Sequence, residues 1–399
     1  MTRQRLHFFF LNLGHFYDHM FMLVFATVAA LSLSLEWGMS YAELIPYALP
    51  GFIAFGAFAL PAGWLADKWS REGMMAVFFI GIGISSAFTA MAETPLQIGI
   101  GIFAMGVFAA IYHPVGIPLV IHGRERTGMP IAINGIYGNL GVASAALVTG
   151  FMIDNGGWRA AFVWPGLVSV ATGLVYTWLV WPQLMAIKER APRKDARVPL
   201  EQSFADRSTL VRMFAIVMVT TALGGIVFQS TTFALPKIFD ERLAGIAVSA
   251  TLVGWYTFLA FALAALAQLV VGYMLDNHSL RLVFLVVAVS QVAFLAMMPG
   301  LQDWTALIVA VAFMLAVFGQ IPINDVLVGR ITRSEWRSRV FACRYVVTFS
   351  GVAVAIPMIS WVHASWGFDM LFWVLAATAL LITAAVLMLP RAIPRTAVA

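Results

Sequence analysis

The sequence predicts an all-α membrane protein with twelve transmembrane helices in two pseudo-symmetric six-helix bundles, and three observations support this fold class. Of the 399 residues, 61% are hydrophobic and only 11% are charged, whereas a soluble globular chain carries about 25% charged residues. Apolar runs long enough to cross a bilayer, about 20 residues each, recur along the whole chain. The two halves also resemble each other in sequence. The composition therefore excludes an ordinary soluble domain.

The predicted spans are the apolar runs between charged residues and Gly or Pro breaks. The first run follows Arg3 and Arg5, is too long for the apolar core of a signal peptide and lacks a small-residue cleavage site, so we expect it to be retained. In chain order, the predicted spans cover residues 7–33, 42–66, 73–92, 96–120, 129–153, 158–182, 210–236, 245–273, 281–299, 304–329, 339–362 and 367–390.

A polar and basic segment divides these spans into two sets of six. It contains the prolines Pro192 and Pro199 among several lysines and arginines. We therefore predict an N-terminal six-helix bundle at 1–183, a basic cytoplasmic linker at 184–207 and a C-terminal six-helix bundle at 208–399.

The two bundles are predicted to be internal repeats. A shift of about 210 residues places residues 103–111 over the similar residues 313–321. Gly157, which precedes a tryptophan, falls close to the place of Gly367, which follows one. Duplicated six-helix bundles joined by a linker are one of the standard plans of membrane transporters.

The positions of the basic residues predict the topology. With the N-terminus inside, all of the 24 lysines and arginines except Arg159, Lys237, Arg242 and Arg344 fall on cytoplasmic segments. The positive-inside rule then places both termini in the cytoplasm. We expect the protein to lie in the inner (plasma) membrane. We interpret most of these residues as topology determinants rather than ligands. The single cysteine, Cys343, excludes a disulfide framework and a cysteine metal cluster.

A short motif follows the second span on the cytoplasmic side. Residues 63–71 contain Gly63, Asp67 and Arg71 in a pattern of glycine, hydrophobic residue, aspartate and basic residues. This pattern resembles the loop 2–3 signature of the major facilitator superfamily, whose fold and alternating-access transport are what the resemblance implies. In that family the loop latches one conformation, so Gly63, Asp67 and Arg71 are predicted gating residues. The alternative is a charged turn that only ends a helix.

Ionisable residues inside spans are costly and usually functional. His15, Asp18 and His19 are spaced i, i+3 and i+4, which places them on one face of the first span. His113 precedes Pro114 in the fourth span. Counting residues from the cytoplasmic ends puts His15 and His113 at a similar depth of roughly 11–12 Å. We therefore expect these four side chains to meet, although a structural hydrogen-bonded role is the alternative.

Three segments narrow the resemblance. Residues 15–20, the Tyr112-His113-Pro114 tripeptide and residues 138–141 look like patterns of the fosmidomycin-resistance efflux subfamily. The family pattern has Asn-Asp where this chain has Asp18 followed by a histidine.

The C-terminal half contributes its own polar candidates. These are Gln229 on span 7, Asn324 and Asp325 on span 10, and Arg344 on span 11. Asp325 and Arg344 lie at comparable depth on adjacent spans. They form either a structural ion pair or a site where Arg344 holds an anionic substrate group and Asp325 releases it.

The sequence thus predicts a secondary active transporter of a small polar or anionic organic solute, of the efflux type and coupled to protons. We expect no enzyme activity: no P-loop, serine elbow or HExxH motif is present, which argues against an ATP-driven pump or a soluble-type hydrolase. The predicted substrate-binding residues are His15, Tyr17, His19, Tyr112, His113, Asn139, Gln229, Asn324 and Arg344, and the predicted proton-coupling residues are Asp18, His15, His113 and Asp325.

Two other functions remain open at this point. A divalent transition-metal transporter would use His15, Asp18, His19 and His113 as ligands. A membrane receptor or enzyme on the same scaffold is the second alternative. We expect no cofactor other than the proton gradient as driving force, with a divalent metal only under the metal alternative. The expected partners are the small-molecule solute and the lipid bilayer, with no nucleic acid, and the expected state is a monomer.

Overall fold

The computed structural model is helical throughout its described part, in which no β-strand occurs. It describes residues 2–124, 127–185, 207–331 and 334–390. Within these ranges, only the backbone is described at residues 207–210, 329–331, 334–346 and 348–350. The predicted linker at 184–207 lies almost wholly outside the described residues.

In the N-terminal half, several crossings of the membrane consist of more than one helical piece. A π-helical turn at Ala29–Leu33 joins α1 to α2, and a 3-10 turn at Ile45–Ala48 joins α3 to α4. The helices are α1 Arg3–Val28, α2 Ser34–Glu36, α3 Tyr41–Leu44, α4 Leu49–Ala57, α5 Ala59–Lys68, α6 Arg71–Thr89, α7 Pro95–Ala109, α8 Tyr112–Ile121 and α9 Gly128–Met185.

In the C-terminal half, the described helices are longer and less interrupted. Ser279 begins α12 by accepting a hydrogen bond from the backbone N–H of Leu282, which satisfies one of the free donors of the first turn. The helices are α10 Arg207–Arg242, α11 Ala250–Asn277, α12 Leu280–Met297, α13 Asp303–Ile331 and α14 Ser334–Leu387.

Ten apolar helical segments in the described part are long enough to cross a membrane. Two of them are double. At 58 residues, α9 would be roughly 87 Å long as one rod, far more than a bilayer core of about 30 Å. Its backbone turns at Gly157 with φ of 74°, and α14 turns at Gly367 with φ of 74°. Glycine adopts this left-handed conformation without a Cβ clash. Each of the two helices therefore makes two crossings, which confirms the predicted twelve spans and the fold class.

The chain folds into two compact units. The first consists of Met1–Pro192 with Phe233–Ala262, and the second of Arg193–Thr232 with Leu263–Ala399. Aromatic side chains fill both cores, whereas other large apolar side chains, such as Leu60 and Trp178, are largely exposed, at 80% and 77%. Exposed apolar side chains in such number suit a lipid environment rather than water.

Candidate functional site

One face of α1 carries the ionisable residues of the first unit. His15, Asp18 and His19 lie on this face, and His113 joins them from the first turn of α8. The ring centroids of His15 and His113 are 5.3 Å apart, and those of His19 and His113 are 5.6 Å apart. The expected meeting of spans 1 and 4 is therefore present in the structure. We call these four residues the histidine cluster.

The carboxyl group of Asp18 is the most buried member of the histidine cluster, with no exposed surface. Its Oδ2 lies 3.3 Å from Nε2 of His113. This is close enough for an ion pair when the imidazole is protonated, but the groups are not aligned as a hydrogen bond, and neither Asp18 oxygen accepts one from the described residues. A buried carboxylate is costly unless it is paired, and the imidazole of His113 is an ionisable group in contact with it.

A backbone carbonyl fixes the protonation pattern of His15. Nδ1 of His15 lies 2.8 Å from the carbonyl oxygen of Asn134. Because a carbonyl oxygen can only accept, Nδ1 carries a hydrogen, and Nε2 of the neutral ring presents a lone pair. That lone pair faces Nε2 of His19 at 3.2 Å. In the neutral cluster, His19 therefore donates to His15.

A buried network holds the His15 ring in place. The Tyr112 ring stacks on it with centroids 4.8 Å apart and an interplanar angle of 18°. The Tyr112 hydroxyl donates to the carbonyl oxygen of Leu11 at 2.9 Å. The amide nitrogen of Asn134 donates to this hydroxyl at 2.8 Å and to Oδ1 of Asn12 at 2.9 Å. This network orients the proton-accepting nitrogen of His15 toward His19.

Glycines of α9 make room for α1. A Cβ atom on Gly138 would lie 2.7 Å from two atoms of the His15 ring, and one on Gly141 would collide with the backbone carbonyl of Phe16. The spacing of these two glycines therefore has a packing reason. On the other side, the helix break between α7 and α8 precedes Pro114, in the region where prolines predict a broken helix.

Two further predicted residues of the first unit are Tyr17 and Asn139. The Tyr17 hydroxyl lies 3.2 Å from Oγ1 of Thr172 on α9. Tyr17 is two residues from His15, or about 200° around the helix, so it faces another side of α1. Asn139 is half-buried on α9.

The loop 2–3 motif forms an exposed ion pair. Nη2 of Arg71 donates to Oδ1 of Asp67 at 2.9 Å, and the two side chains are 29% and 66% exposed. Gly63 packs near α8, where a Cβ atom would lie 3.3 Å from Cβ of Pro114.

The second unit contains a small cavity lined by both apolar and polar side chains, which we call the amide cavity. Its volume is about 190 Å³. Gln291 of α12 donates through Nε2 to Oε1 of Gln320 on α13 at 2.8 Å, and Gln320 donates to the carbonyl oxygen of Thr220 at 3.2 Å. The cavity is lined by Thr221, Gly224, Gly225, Phe228, Gln291, Val317, Gln320, Ile321, Asn324 and Asp325.

The amide cavity contains two of the four residues predicted in the C-terminal half. Asn324 and Asp325 line it, whereas Gln229 is half-buried on α10 and is not among the lining residues. The side chain of Arg344 lies outside the described residues, so its pairing with Asp325 stays a prediction. Gln291 was not predicted, although a glutamine in the middle of an apolar run is a usable signal.

Asp154 was also not predicted. Its carboxylate accepts hydrogen bonds from the backbone N–H groups of Ala250 and Thr251 at 3.3 and 2.7 Å, and from the Thr251 hydroxyl at 2.5 Å. Asp154 thus caps the positive N-terminus of α11 from the end of the first crossing of α9.

Twelve apolar crossings built from two matched halves, with ionisable side chains buried inside the helices, define a polytopic membrane protein of the duplicated six-helix class. The comparison with known families specifies it further. The family model of the Major Facilitator Superfamily matches residues 9–247 and 241–398. The chain belongs to this superfamily.

Individual relatives are distant. A gallate transporter of Pseudomonas putida is 21% identical over 278 residues, which cover 62% of this chain and 60% of the relative. The 4-hydroxybenzoate transporter PcaK of the same organism is 22% identical over 288 residues, which cover 62% of this chain and 61% of PcaK. The chain thus matches about 60% of the length of these relatives.

A solved structure shows the same fold. A bacterial homolog of the human lysosomal transporter Spinster, crystallised inward-facing and unoccupied, superposes with a TM-score of 0.72 at 14% identity. The superposition covers 98% of this chain and 95% of the homolog.

The histidine cluster has the donor set for two kinds of chemistry. One ligand atom each from His15, His19 and His113 lies within 4.8 Å of the others, and three such imidazoles are a donor set that a divalent transition metal takes. Imidazole and carboxyl groups in contact with one another can also accept and pass protons.

Proposed function

We propose that the protein is a secondary active transporter that moves a small polar or anionic organic solute across the inner membrane by alternating access, coupled to protons. The observation that carries this proposal is the buried contact between Asp18 and His113 inside membrane-spanning helices. Ionisable groups at this depth are expensive and are typical of proton relays and substrate paths.

The proposed coupling follows from the geometry of the histidine cluster. A proton entering the cluster binds the lone pair of His15 Nε2 or the imidazole of His113. On His113, it turns the 3.3 Å contact with Asp18 into an ion pair. A proton on His15 Nε2 places positive charge beside His19 and makes that nitrogen a donor. His19 must then accept the hydrogen bond that it donates in the neutral cluster. Protonation thus changes both charge and hydrogen bonding at one place, as a transport cycle requires.

The substrate class is supported by the relatives. Gallate and 4-hydroxybenzoate, named for two of them, are carboxylates of small aromatic acids. A protonated histidine cluster provides the positive charge that attracts such an anion. We propose export as the direction, because residues 15–20 and 138–141 resemble the fosmidomycin-resistance efflux subfamily.

Two helix-end contacts support a gating role in the proposed cycle. The Asp67–Arg71 pair stands at the loop between α5 and α6. Asp154 caps the N-terminus of α11, away from that loop along the chain. In each case one exposed aspartate at a helix end makes the contact, by an ion pair at Asp67 and by three hydrogen bonds at Asp154, and such exposed polar contacts can break and re-form.

The test is pH-driven transport of labelled 4-hydroxybenzoate by the purified full chain in liposomes. Asp18→Asn and His113→Ala should each reduce transport to background while the proteins still insert and elute as folded. Asp276→Asn and His278→Ala change the same residue types at exposed positions and should transport like wild type. Wild-type transport by both cluster variants would remove the cluster from the mechanism. Counterflow in the same liposomes also decides against a receptor or enzyme, which would move nothing.

A divalent metal is the second candidate cargo, because three imidazoles converge within 4.8 Å. Isothermal titration of the purified chain with Mn²⁺, Fe²⁺, Co²⁺ or Zn²⁺ separates the two. Stoichiometric binding that is lost in His15→Ala favours the metal, whereas no binding leaves the organic solute as cargo.

A further inference from the structure

The hydrogen bonds of the amide cavity have only one possible direction. The carbonyl oxygen of Thr220 can only accept, so Gln320 presents its Nε2 there and its Oε1 toward Gln291. Gln291 must then present Nε2, which also lies 3.3 Å from the carbonyl oxygen of Ala316. The two amides are therefore oriented by the backbone. Oε1 of Gln291 therefore lacks a hydrogen-bond partner because of these neighbouring groups, and not because the amide oxygen and nitrogen were assigned arbitrarily.

Three polar atoms of the cavity wall have no hydrogen-bond partner among the described residues. They are Oε1 of Gln291, Oδ1 of Asn324 and Oγ1 of Thr221. Their side chains belong to residues that are only 1%, 6% and 3% exposed. Buried polar atoms are nearly always paired, and a group of unpaired ones around one space indicates that a ligand supplies the partners.

The unpaired atoms define what the ligand must provide. Two of them are amide oxygens, which only accept, and the third is a hydroxyl oxygen that can also accept. The carboxyl group of Asp325 adds further oxygens to the wall. Oxygens that only accept offer no hydrogen to a substrate carboxylate, whereas hydroxyl or N–H groups can donate to them.

The rest of the wall is apolar and the space is small. Phe228, Val317 and Ile321 line it. The volume of about 190 Å³ is below the range of roughly 300–1,000 Å³ typical of drug-sized ligands. A single ring or a short carbon chain fits this description.

We propose that the amide cavity is a subsite for the hydroxyl-bearing, apolar end of the substrate, with Gln291 and Asn324 accepting from its hydroxyl groups. This proposal rests on the proposed organic-anion transport and adds to it: the carboxylate end points away from the cavity. The protein therefore selects hydroxylated acids over their unhydroxylated parents. A site built to accept a hydroxyl rejects the analogue that lacks one, because its own polar groups then stay unpaired.

The experiment measures dissociation constants for two matched probe pairs on the purified full chain: 4-hydroxybenzoate against benzoate, and the neutral 4-hydroxybenzamide against benzamide. In each pair, the hydroxylated probe should bind wild type about tenfold more tightly. Asn324→Leu and Gln291→Met should bring that ratio close to one while the Kd of the unhydroxylated probe changes by less than about twofold.

Gln268→Leu is the matched control, because it removes an amide from the same unit outside the cavity, and it should keep the full ratio. Asn324→Leu removes an oxygen that has no partner in the described part of the chain, so it carries the test if Gln291→Met fails to fold. Equal binding of both members by wild type, or a ratio that survives Asn324→Leu, overturns the subsite.

The neutral pair separates this proposal from the proposed function. If the benzamides show the ratio and neither benzoate binds, the subsite stands and organic-anion transport fails. If the benzoates bind with no difference between them, transport of anions stands and the subsite fails. If no probe of either pair binds, the subsite is overturned.

Discussion

The histidine cluster and the amide cavity differ in how their buried polar side chains are packed. In the cluster, four ionisable side chains pack against one another and against Tyr112, so the groups meet each other and little space remains. In the cavity, neutral amides border an open volume of about 190 Å³. A proton needs no space, whereas a solute does. The difference suggests that one region responds to protons and the other to the shape and hydroxyl groups of a solute.

In both regions, a backbone carbonyl group orients the buried polar side chains. A backbone carbonyl that can only accept fixes the orientation of each network: that of Asn134 orients His15, and that of Thr220 orients Gln320. Backbone carbonyls inside a helix are held rigidly, so they are good references for side chains whose own hydrogen positions are otherwise ambiguous.

The largest expected difference between the two regions is in the pH dependence of binding. Protons bound by the histidine cluster supply the positive charge that attracts an anion, so the anion affinity of wild type should fall by about tenfold or more as the pH is raised from about 5 to 8. His113→Ala should flatten this profile, and Asn324→Leu should leave it unchanged. Binding of 4-hydroxybenzoate at four pH values measures both. A profile that stays steep in His113→Ala would contradict the division of roles.

The next largest effect concerns the glycine beside each network. In Gly138→Ala, the new Cβ meets the His15 ring, which Tyr112 and Asn134 hold in place, so we expect a loss of about 1–3 kcal/mol in unfolding free energy. In Gly224→Ala, the Cβ meets the amide end of Gln320, which borders the cavity and can shift there only by changing its hydrogen bonds to Thr220 and Gln291.

Alanine is favoured over glycine in helices by about 1 kcal/mol at both positions, so Gly224→Ala should cost less than Gly138→Ala because the end of a side chain bordering a cavity yields more easily than a packed ring. Thermal unfolding in detergent compares the two variants, with wild type measured in parallel. Equal losses in both would mean that the two networks are equally rigid.

A smaller effect is expected for two tyrosine hydroxyls of the first unit. Tyr112→Phe removes a donor to Leu11 and an acceptor for Asn134, both buried, and should cost about 1–3 kcal/mol. Tyr17→Phe removes one contact with Thr172 and should cost about 0.5–1.5 kcal/mol. Unfolding and pH-driven transport are measured together. Only Tyr112→Phe should also lower transport, since it alone orients the cluster.

The smallest effect on stability is expected at the exposed Asp67–Arg71 pair. Arg71→Gln should change unfolding free energy by less than about 1 kcal/mol, because water screens such pairs. If the pair gates the cycle, transport falls although stability does not. A variant that is stable and fully active would reduce the motif to a charged turn.

The amino-acid sequence determined the fold class and most of the histidine cluster. Apolar runs set the spans because a bilayer forces each crossing to be helical and about 20 residues long. The i, i+3, i+4 spacing of His15, Asp18 and His19 placed them on one face, and counting residues from the membrane surface matched their depth to that of His113. These are properties of single helices, so no tertiary information was needed.

Only the tertiary structure decided what each side chain touches. The roles of Asn134, Asp154 and Gln291 depend on the rotation and height of neighbouring helices, which packing sets and single-helix periodicity does not contain. Tyr17 belongs to the same polar run as His15, yet the rotation of α1 turns its hydroxyl to Thr172. The amide cavity follows the same rule, because a glutamine in an apolar run is visible in the sequence, but the oxygen that it leaves unpaired is decided by the carbonyl groups of other helices.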